Sequence, residues 1–211
     1  MVMTPRPHDV VRLADRMAPQ GLPGWAAASL AACPWAVVRR APHPPGLVPI
    51  GVRGPSRRQR HAAFVPAAAV TRRVTPEELG RRRPRLLPLA DSLSAVAVRL
   101  AAELNDEGDG GLNQGATWGP VGAVGFELAT GQQVTHADSD LDLLIRAPHR
   151  MPPALAARLV DAFAALPRTV DCQVETPCGG VSLVEWARAA GPVMARTGHG
   201  PVLVDDPWRP A

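Results

Sequence analysis

The run Ser139-Asp140-Leu141-Asp142-Leu143-Leu144-Ile145 constrains this chain more than any other stretch. In an extended strand, side chains at i and i+2 share a face, with Cα atoms about 6–7 Å apart. Asp140 and Asp142 therefore face one way, while Leu141 and Leu143 face a core. Two carboxylates on one face of a largely apolar strand repel each other and lose hydration, which is costly unless a cation lies between them. Mg²⁺ meets that need, because it is held by one or two carboxylates together with substrate phosphates. An edge strand whose acids face water accounts for the same run, so the surroundings decide.

Upstream lies Trp118-Gly119-Pro120-Val121-Gly122-Ala123-Val124-Gly125, a glycine-bearing turn that opens a helix. Backbone N–H groups at such a turn can cradle a phosphate. Downstream, Val170-Asp171-Cys172-Gln173-Val174-Glu175 reads as a second acidic strand, with Asp171 and Glu175 on one face. Either can be a third carboxylate that completes metal binding or accepts the proton of an attacking hydroxyl. The three parts together are far more specific than any one.

The remaining pattern gives these parts a frame. Leu93, Val96, Ala97, Leu100 and Leu104 recur at helical spacing, and 105–111 ends that helix. Residues 117–121 read as a strand, 122–130 as a helix closed by Gly131, and 140–146 as a strand. Leu155, Leu159, Val160, Phe163 and Leu166 line a further helix, 169–175 is a strand, and Ser182 with Glu185 forms a capping box before Trp186. This order predicts an α/β layer with a mixed sheet flanked by helices. The first half is broken by proline and reads as short strands over 35–40, 48–53 and 61–65. Thr75 then caps a helix that starts at Pro76. A smaller β-rich domain over residues 1–86 and a catalytic domain over 87–211 follow, with the boundary in the Arg- and Pro-rich stretch 81–88.

Charge separates the same two halves. Residues 1–100 hold 16 Arg and five acids, whereas residues 101–211 hold seven Arg and 14 acids. A GC-rich genome explains why every basic residue is Arg and none is Lys, but not why they gather on one side. The three cysteines, Cys33, Cys172 and Cys178, fit neither a disulfide framework nor zinc spacing and read as small buried hydrophobes. Apolar runs are too short to span a membrane, and no signal-peptide core opens the chain, so a soluble cytoplasmic protein is expected. Basic residues without aromatic interleaving argue against nucleic acid as a partner.

The second half resembles the DNA polymerase β-type nucleotidyltransferases, whose pattern is a Gly-Ser turn, an Asp-x-Asp strand and a later Asp. Nearly the whole chain resembles a narrower family, the malonate decarboxylase holo-acyl-carrier-protein synthases, or phosphoribosyl-dephospho-CoA transferases. The resemblance rests on Arg6-Pro7-His8-Asp9, Val37-Val38-Arg39-Arg40, Gly51-Val52-Arg53-Gly54 and Phe126-Glu127-Leu128-Ala129-Thr130-Gly131. The acidic strands, Leu183-Val184-Glu185-Trp186, Gly200-Pro201-Val202-Leu203-Val204 and Asp206-Pro207-Trp208 extend it.

The resemblance implies transfer of the phosphoribosyl-dephospho-CoA group from 2′-(5″-triphosphoribosyl)-3′-dephospho-CoA to a serine of the acyl-carrier protein of malonate decarboxylase, releasing diphosphate. It implies Asp140 and Asp142 as Mg²⁺ ligands and Asp171 as the third catalytic acid, with Glu175 the alternative. Gly122, Ala123 and Ser139 would contact the substrate, as would Arg53 and Arg57, which flank the Gly54-Pro55-Ser56 turn. Arg39, Arg40, Arg58 and Arg60 are further candidates for phosphates or an acidic partner. One departure stands out: the Gly-Ser of the nucleotidyltransferase superfamily turn reads Gly122-Ala123 here, removing one hydroxyl from the turn. Two rival readings keep the fold: an enzyme that nucleotidylates another protein with ATP, and a binding module without catalysis. His136 reads as a solvated loop residue. Trp118, Trp186 and Trp208 read as packing residues, with Trp118 also placed to stack on a base.

Overall fold

The computed structural model describes residues 4–14, 19–56, 58–104, 115–188 and 190–209. The chain builds two sheets. The first joins β1 (Val10–Leu13), β2 (Trp35–Val38), β3 (Leu47–Arg53), β4 (Arg60–Pro66) and β5 (Val70–Val74) in the order β4-β3-β2-β1-β5, with every pairing antiparallel. Helix α1 (Gly24–Ala32) covers one face through Ala26 and Leu30, which join Val11, Ala36, Val38, Val48, Ile50 and Val52 in a core.

Helix α2 (Pro76–Leu79) opens with a complete capping box. The Thr75 hydroxyl accepts from the Glu78 N–H, and the Glu78 carboxylate accepts from the Thr75 N–H. Helix α3 (Leu87–Leu104) leads toward the second sheet, built from β6 (Thr117–Pro120), β7 (Leu141–Arg146), β8 (Val170–Thr176), β9 (Gly179–Ser182), β10 (Val193–Thr197) and β11 (Gly200–Val204). Its order is β11-β10-β9-β8-β7-β6; β7 and β8 run parallel and the other pairs antiparallel, so the sheet is mixed as expected. Helices α4 (Gly122–Thr130), α5 (Pro153–Ala164) and α6 (Leu183–Ala187) complete the layer. Gly131 ends α4 in the left-handed region, at φ 76°.

Two local expectations change. Asp140 lies one residue before β7 rather than inside it. Ser182 does cap α6 by accepting from the Glu185 N–H, but the Glu185 carboxylate accepts from the Met194 N–H at 2.7 Å, tying α6 to β10 instead of closing a box. The proposed end of α3 over 105–111 lies outside the described residues.

The packing of β7 on β8 places the site. Their register pairs Leu141 with Val170, Leu143 with Cys172 and Ile145 with Val174, and this row faces the second core together with α3 and α5 residues. The alternate row pairs Asp142 with Asp171, Leu144 with Gln173 and Arg146 with Glu175. One strand pair thus has an apolar face turned to the core and a polar face turned to the first sheet.

Candidate functional site

The polar face of β7 and β8 has two ends of different character. At the Arg146 and Glu175 end, residues that flank β1 and β2 and a residue of α2 grip it. The Arg40 guanidinium donates to Glu175, with Nη1 2.8 Å from Oε1, in a pair whose side chains are both largely buried. Arg146 donates through Nε to Glu77 at 2.8 Å and through Nη2 to the Pro7 carbonyl at 3.1 Å, and lies 3.4 Å from Asp9. Asp9 is fully buried. Burial pushes its carboxyl above the usual range, while the Arg6 N–H and the Arg146 and Arg73 charges pull the other way. A cleft of about 910 Å³ opens beyond this end, lined among others by Arg6, Arg73, Glu77, Arg146 and Glu175.

Midway along the face, Gln173 accepts from Arg196 Nη1 at 3.2 Å and lies 3.2 Å from His8 Nε2. An arginine only donates, so Gln173 meets it with its amide oxygen and offers its NH₂ to His8, whose Nε2 must carry the lone pair. Gly180 is bare because Gln173 fills the space its β-carbon would need. Burial lowers the His8 pKa from 6.5 to about 4, which keeps the imidazole neutral.

The opposite end carries the acids. Asp142 and Asp171 stand in register on adjacent parallel strands, so their side chains emerge side by side. Asp171 is exposed; Asp140 and Asp142 are partly buried. The Gly122 turn closes over Asp142. The Val121 N–H donates to the Asp142 carbonyl at 2.9 Å, and Gly122, at φ +59°, leaves room for the Asp142 carboxylate against its Cα. The N-cap residue Val121 has no side chain that can cap α4, and the first turn of the helix opens beside Asp142. Ala123 is the second residue of this helix and is partly buried.

Helix α4 also shapes the approach to Asp140. Glu127 is buried and takes hydrogen bonds from the Thr135 hydroxyl at 2.7 Å and from the Thr135 and Val134 N–H groups at 3.0 and 3.1 Å. Burial alone would push this carboxyl up, but those donors and the Arg85 charge hold it below the usual range. The next turn is closed by Ser139, whose N–H donates to the His136 carbonyl while its hydroxyl accepts from the His136 N–H and lies 2.7 Å from Nδ1. Ser139 is therefore buried in turn contacts.

Arginines reach this end from two sides. Arg53 places its guanidinium 5.9 Å from the Phe126 ring centroid, which brings β3 against α4 one turn below Gly122. Arg168, which the sequence pattern does not single out, precedes β8 and donates through Nε to the Ser139 carbonyl at 3.2 Å. The signal that marks it is its place: an arginine in an acidic half, three residues before Asp171. Arg57 lies outside the described residues. The structure thus gathers Asp140, Asp142, Asp171, Gly122, Ala123 and Arg168 around one end, sets Arg53 against α4 a turn away, and holds Glu175 at the other end.

Among the described residues, no three His, Cys, Asp or Glu side chains converge at distances that hold a metal on their own. Adjacent carboxylates beside a helix N-terminus form a different donor set, in which one or two acids share Mg²⁺ with phosphate oxygens. The Trp186 and Trp208 rings pack 5.1 Å apart, and their N–H groups donate to the Met151 and Ala147 carbonyls, consistent with packing roles. Cys172 is buried, and burial pushes its thiol pKa up; Cys33 and Cys178 are partly buried, and all three thiols are free. Among the described residues, no helix is long and apolar enough to cross a membrane.

Comparison with known proteins covers both halves. Residues 88–207 match the family described as Phosphoribosyl-dephospho-CoA transferase MdcG C-terminal domain, and residues 6–76 match the corresponding N-terminal domain. A Pseudomonas aeruginosa protein named phosphoribosyl-dephospho-CoA transferase is 46% identical over 207 residues, 97% of this chain and 94% of that protein. Proteins of the same name from Azotobacter vinelandii and Pseudomonas putida are 43% and 40% identical, over 98% and 97% of this chain and 96% and 95% of their own. No solved structure matches the chain.

Proposed function

The chain belongs to the phosphoribosyl-dephospho-CoA transferase family, and from that premise we propose how this transferase works and on what. The donor is 2′-(5″-triphosphoribosyl)-3′-dephospho-CoA, and the acceptor is a serine of the acyl-carrier protein of malonate decarboxylase. The observation that carries this reading is the in-register pair Asp142 and Asp171 beside the bare Gly122 turn.

The triphosphate lies between the α4 N-terminus and the acidic strand ends. First-turn N–H groups of Gly122, Ala123 and Val124 orient its oxygens. The serine Oγ attacks the α-phosphorus and forms the new O–P bond. The bond from that phosphorus to the bridging oxygen breaks, the electron pair stays with the departing diphosphate, and the serine proton passes to Asp171. Asp171 fits this task better than Glu175, which Arg40 engages at the other end of the face. Asp140 and Asp142 would hold Mg²⁺, which when bound neutralises phosphate oxygens and stabilises the leaving diphosphate. In this scheme residues 87–211 form the catalytic unit, and residues 1–86, with Arg53, help dock the donor and the carrier.

Incubation with the triphosphorylated donor and apo carrier protein, read by mass spectrometry, tests the reading. The expected product carries the phosphoribosyl-dephospho-CoA mass on one serine, with one diphosphate released per transfer. A nucleotidyl mass from ATP, with none from the CoA derivative, would instead establish the rival acceptor chemistry.

A further inference from the structure

Among the described residues, three arginines at the polar face of β7 and β8 are engaged by that face or its neighbours. Arg40 pairs with Glu175, Arg146 bridges Asp9 and Glu77, and Arg196 donates to Gln173. Arg168 is partly buried, yet it forms no ion pair with a described residue; its side chain bonds only the neutral Ser139 carbonyl, through Nε. A partly shielded guanidinium whose charge no described carboxylate neutralises is available to an anionic ligand.

Its placement is fixed from both ends. The Arg168 N–H donates to the hydroxyl of fully buried Ser92 at 3.2 Å, and the Leu141 N–H donates to the Thr169 carbonyl at 2.9 Å. These bonds lock the start of β8 to α3 and to the start of β7, so the guanidinium sits at the entry of both acidic strands. Nε is used and the plane is set, which leaves the Nη groups as a rigid fork suited to two phosphate oxygens.

We propose that Arg168 binds the outer phosphates of the triphosphate donor, the part that leaves as diphosphate. The inference rests on the transfer reaction proposed above. Reaction at phosphorus takes place at Asp142 and Asp171, while Asp140 and Ser139 lie two and three residues before Asp142, which a chain can span by at most roughly 7–11 Å. That offset matches an extended triphosphate whose α-phosphorus is at the acids and whose far end is at Arg168. The guanidinium also offsets the charge that builds on the bridging oxygen as the bond to the α-phosphorus breaks.

Binding of inorganic diphosphate, measured by calorimetry with and without MgCl₂ on the full chain, tests this directly alongside steady-state transfer. Arg168→Gln should weaken diphosphate roughly ten- to hundredfold and raise the donor KM, since a charged hydrogen-bonded contact is lost. Arg168→Lys, which keeps the charge without the fork, should fall between. Unchanged diphosphate affinity in Arg168→Gln, with or without a fall in kcat, overturns the inference and reduces Arg168 to a brace for Ser139. Wild-type protein that transfers the group while Arg168→Gln binds diphosphate equally well leaves the proposed function standing. Wild-type protein that transfers nothing sinks that function and this inference with it.

Discussion

A β-carbon placed on Gly122 would lie 1.7 Å from Asp142 Oδ2, so the turn and the acid occupy adjoining space that only glycine leaves open. The left-handed φ of +59° adds a second reason for glycine. Gly122→Ala must therefore displace the Asp142 carboxylate or the turn. A shift of about 1 Å at a reacting centre costs about 100-fold in rate. The variant should lose about that factor in kcat while its Tm falls by only a few degrees, because the helix and strand behind it keep their core contacts. Calorimetry alongside a diphosphate-release assay checks both numbers.

The in-register acids carry opposite consequences for stability and activity. Like charges directly opposite on paired strands are unfavourable by a few tenths of a kcal/mol. Asp171→Asn should therefore hold or slightly raise the Tm, while transfer falls by roughly 10²- to 10⁴-fold as the proton acceptor is lost. Asp142→Asn should likewise remain folded and lose both transfer and its Mg²⁺ dependence. Thermal melts with single-turnover assays separate these effects, and a folded Asp171→Asn with wild-type kcat would remove that residue from the mechanism.

Glu175 should behave in the reverse way. Its carboxylate is held by Arg40 in a largely buried pair, so Glu175→Gln weakens the grip of the first sheet on β8. The expected cost is about 1–3 kcal/mol of unfolding free energy, with kcat within about threefold of wild type. Urea denaturation and turnover together make the comparison with Asp171→Asn decisive.

Ala123 offers a gain-of-contact variant. It is the second residue of α4, beside the proposed phosphate position. Ala123→Ser adds one hydroxyl worth about 0.5–1.5 kcal/mol if it reaches a phosphate oxygen, so the donor KM should drop roughly two- to tenfold. Loss of activity on this change would place the side chain in packing instead.

The parts read most clearly from sequence are those whose pattern is local. Leu141, Leu143 and Ile145 alternate with Asp142, and that period alone placed the acids opposite the core. Thr75 and Glu78 announced a helix start in four residues. By contrast β1 and β5, with sequences VVRL and VTRRV, show no alternation; they are strands because Val10 pairs with Val37 on one side and Val74 on the other. Helix α1 is mostly alanine and buries only Ala26 and Leu30, so it has little amphipathic signature. The same limit applies to the site. Asp142 and Asp171 are 29 positions apart, and only the parallel register makes them neighbours. Glu175 is bonded by Arg40, 135 positions away, and Arg168 bonds Ser139, 29 positions away, and neither contact has a local pattern.

The contact between the two sheets should be sensitive to acid, and His8 supplies the reason. His8 holds a left-handed backbone at φ 74°, alone among the described non-glycine residues, and sets its unprotonated Nε2 against the Gln173 amide. Burial lowers its pKa to about 4 against 6.5 in an unfolded chain. The native state therefore favours the neutral ring, and this contribution is complete above pH 6.5 and drains as pH falls toward 4, where the unfolded chain takes up the proton first. At pH 5 the loss amounts to about 2 kcal/mol relative to pH 7.5. His8→Gln cannot titrate, so its stability should change less over that interval, even if it is lower at pH 7.5. Urea denaturation of both proteins at pH 7.5, 6 and 5 measures the difference, and parallel pH profiles would show that the ring does not titrate where its burial requires.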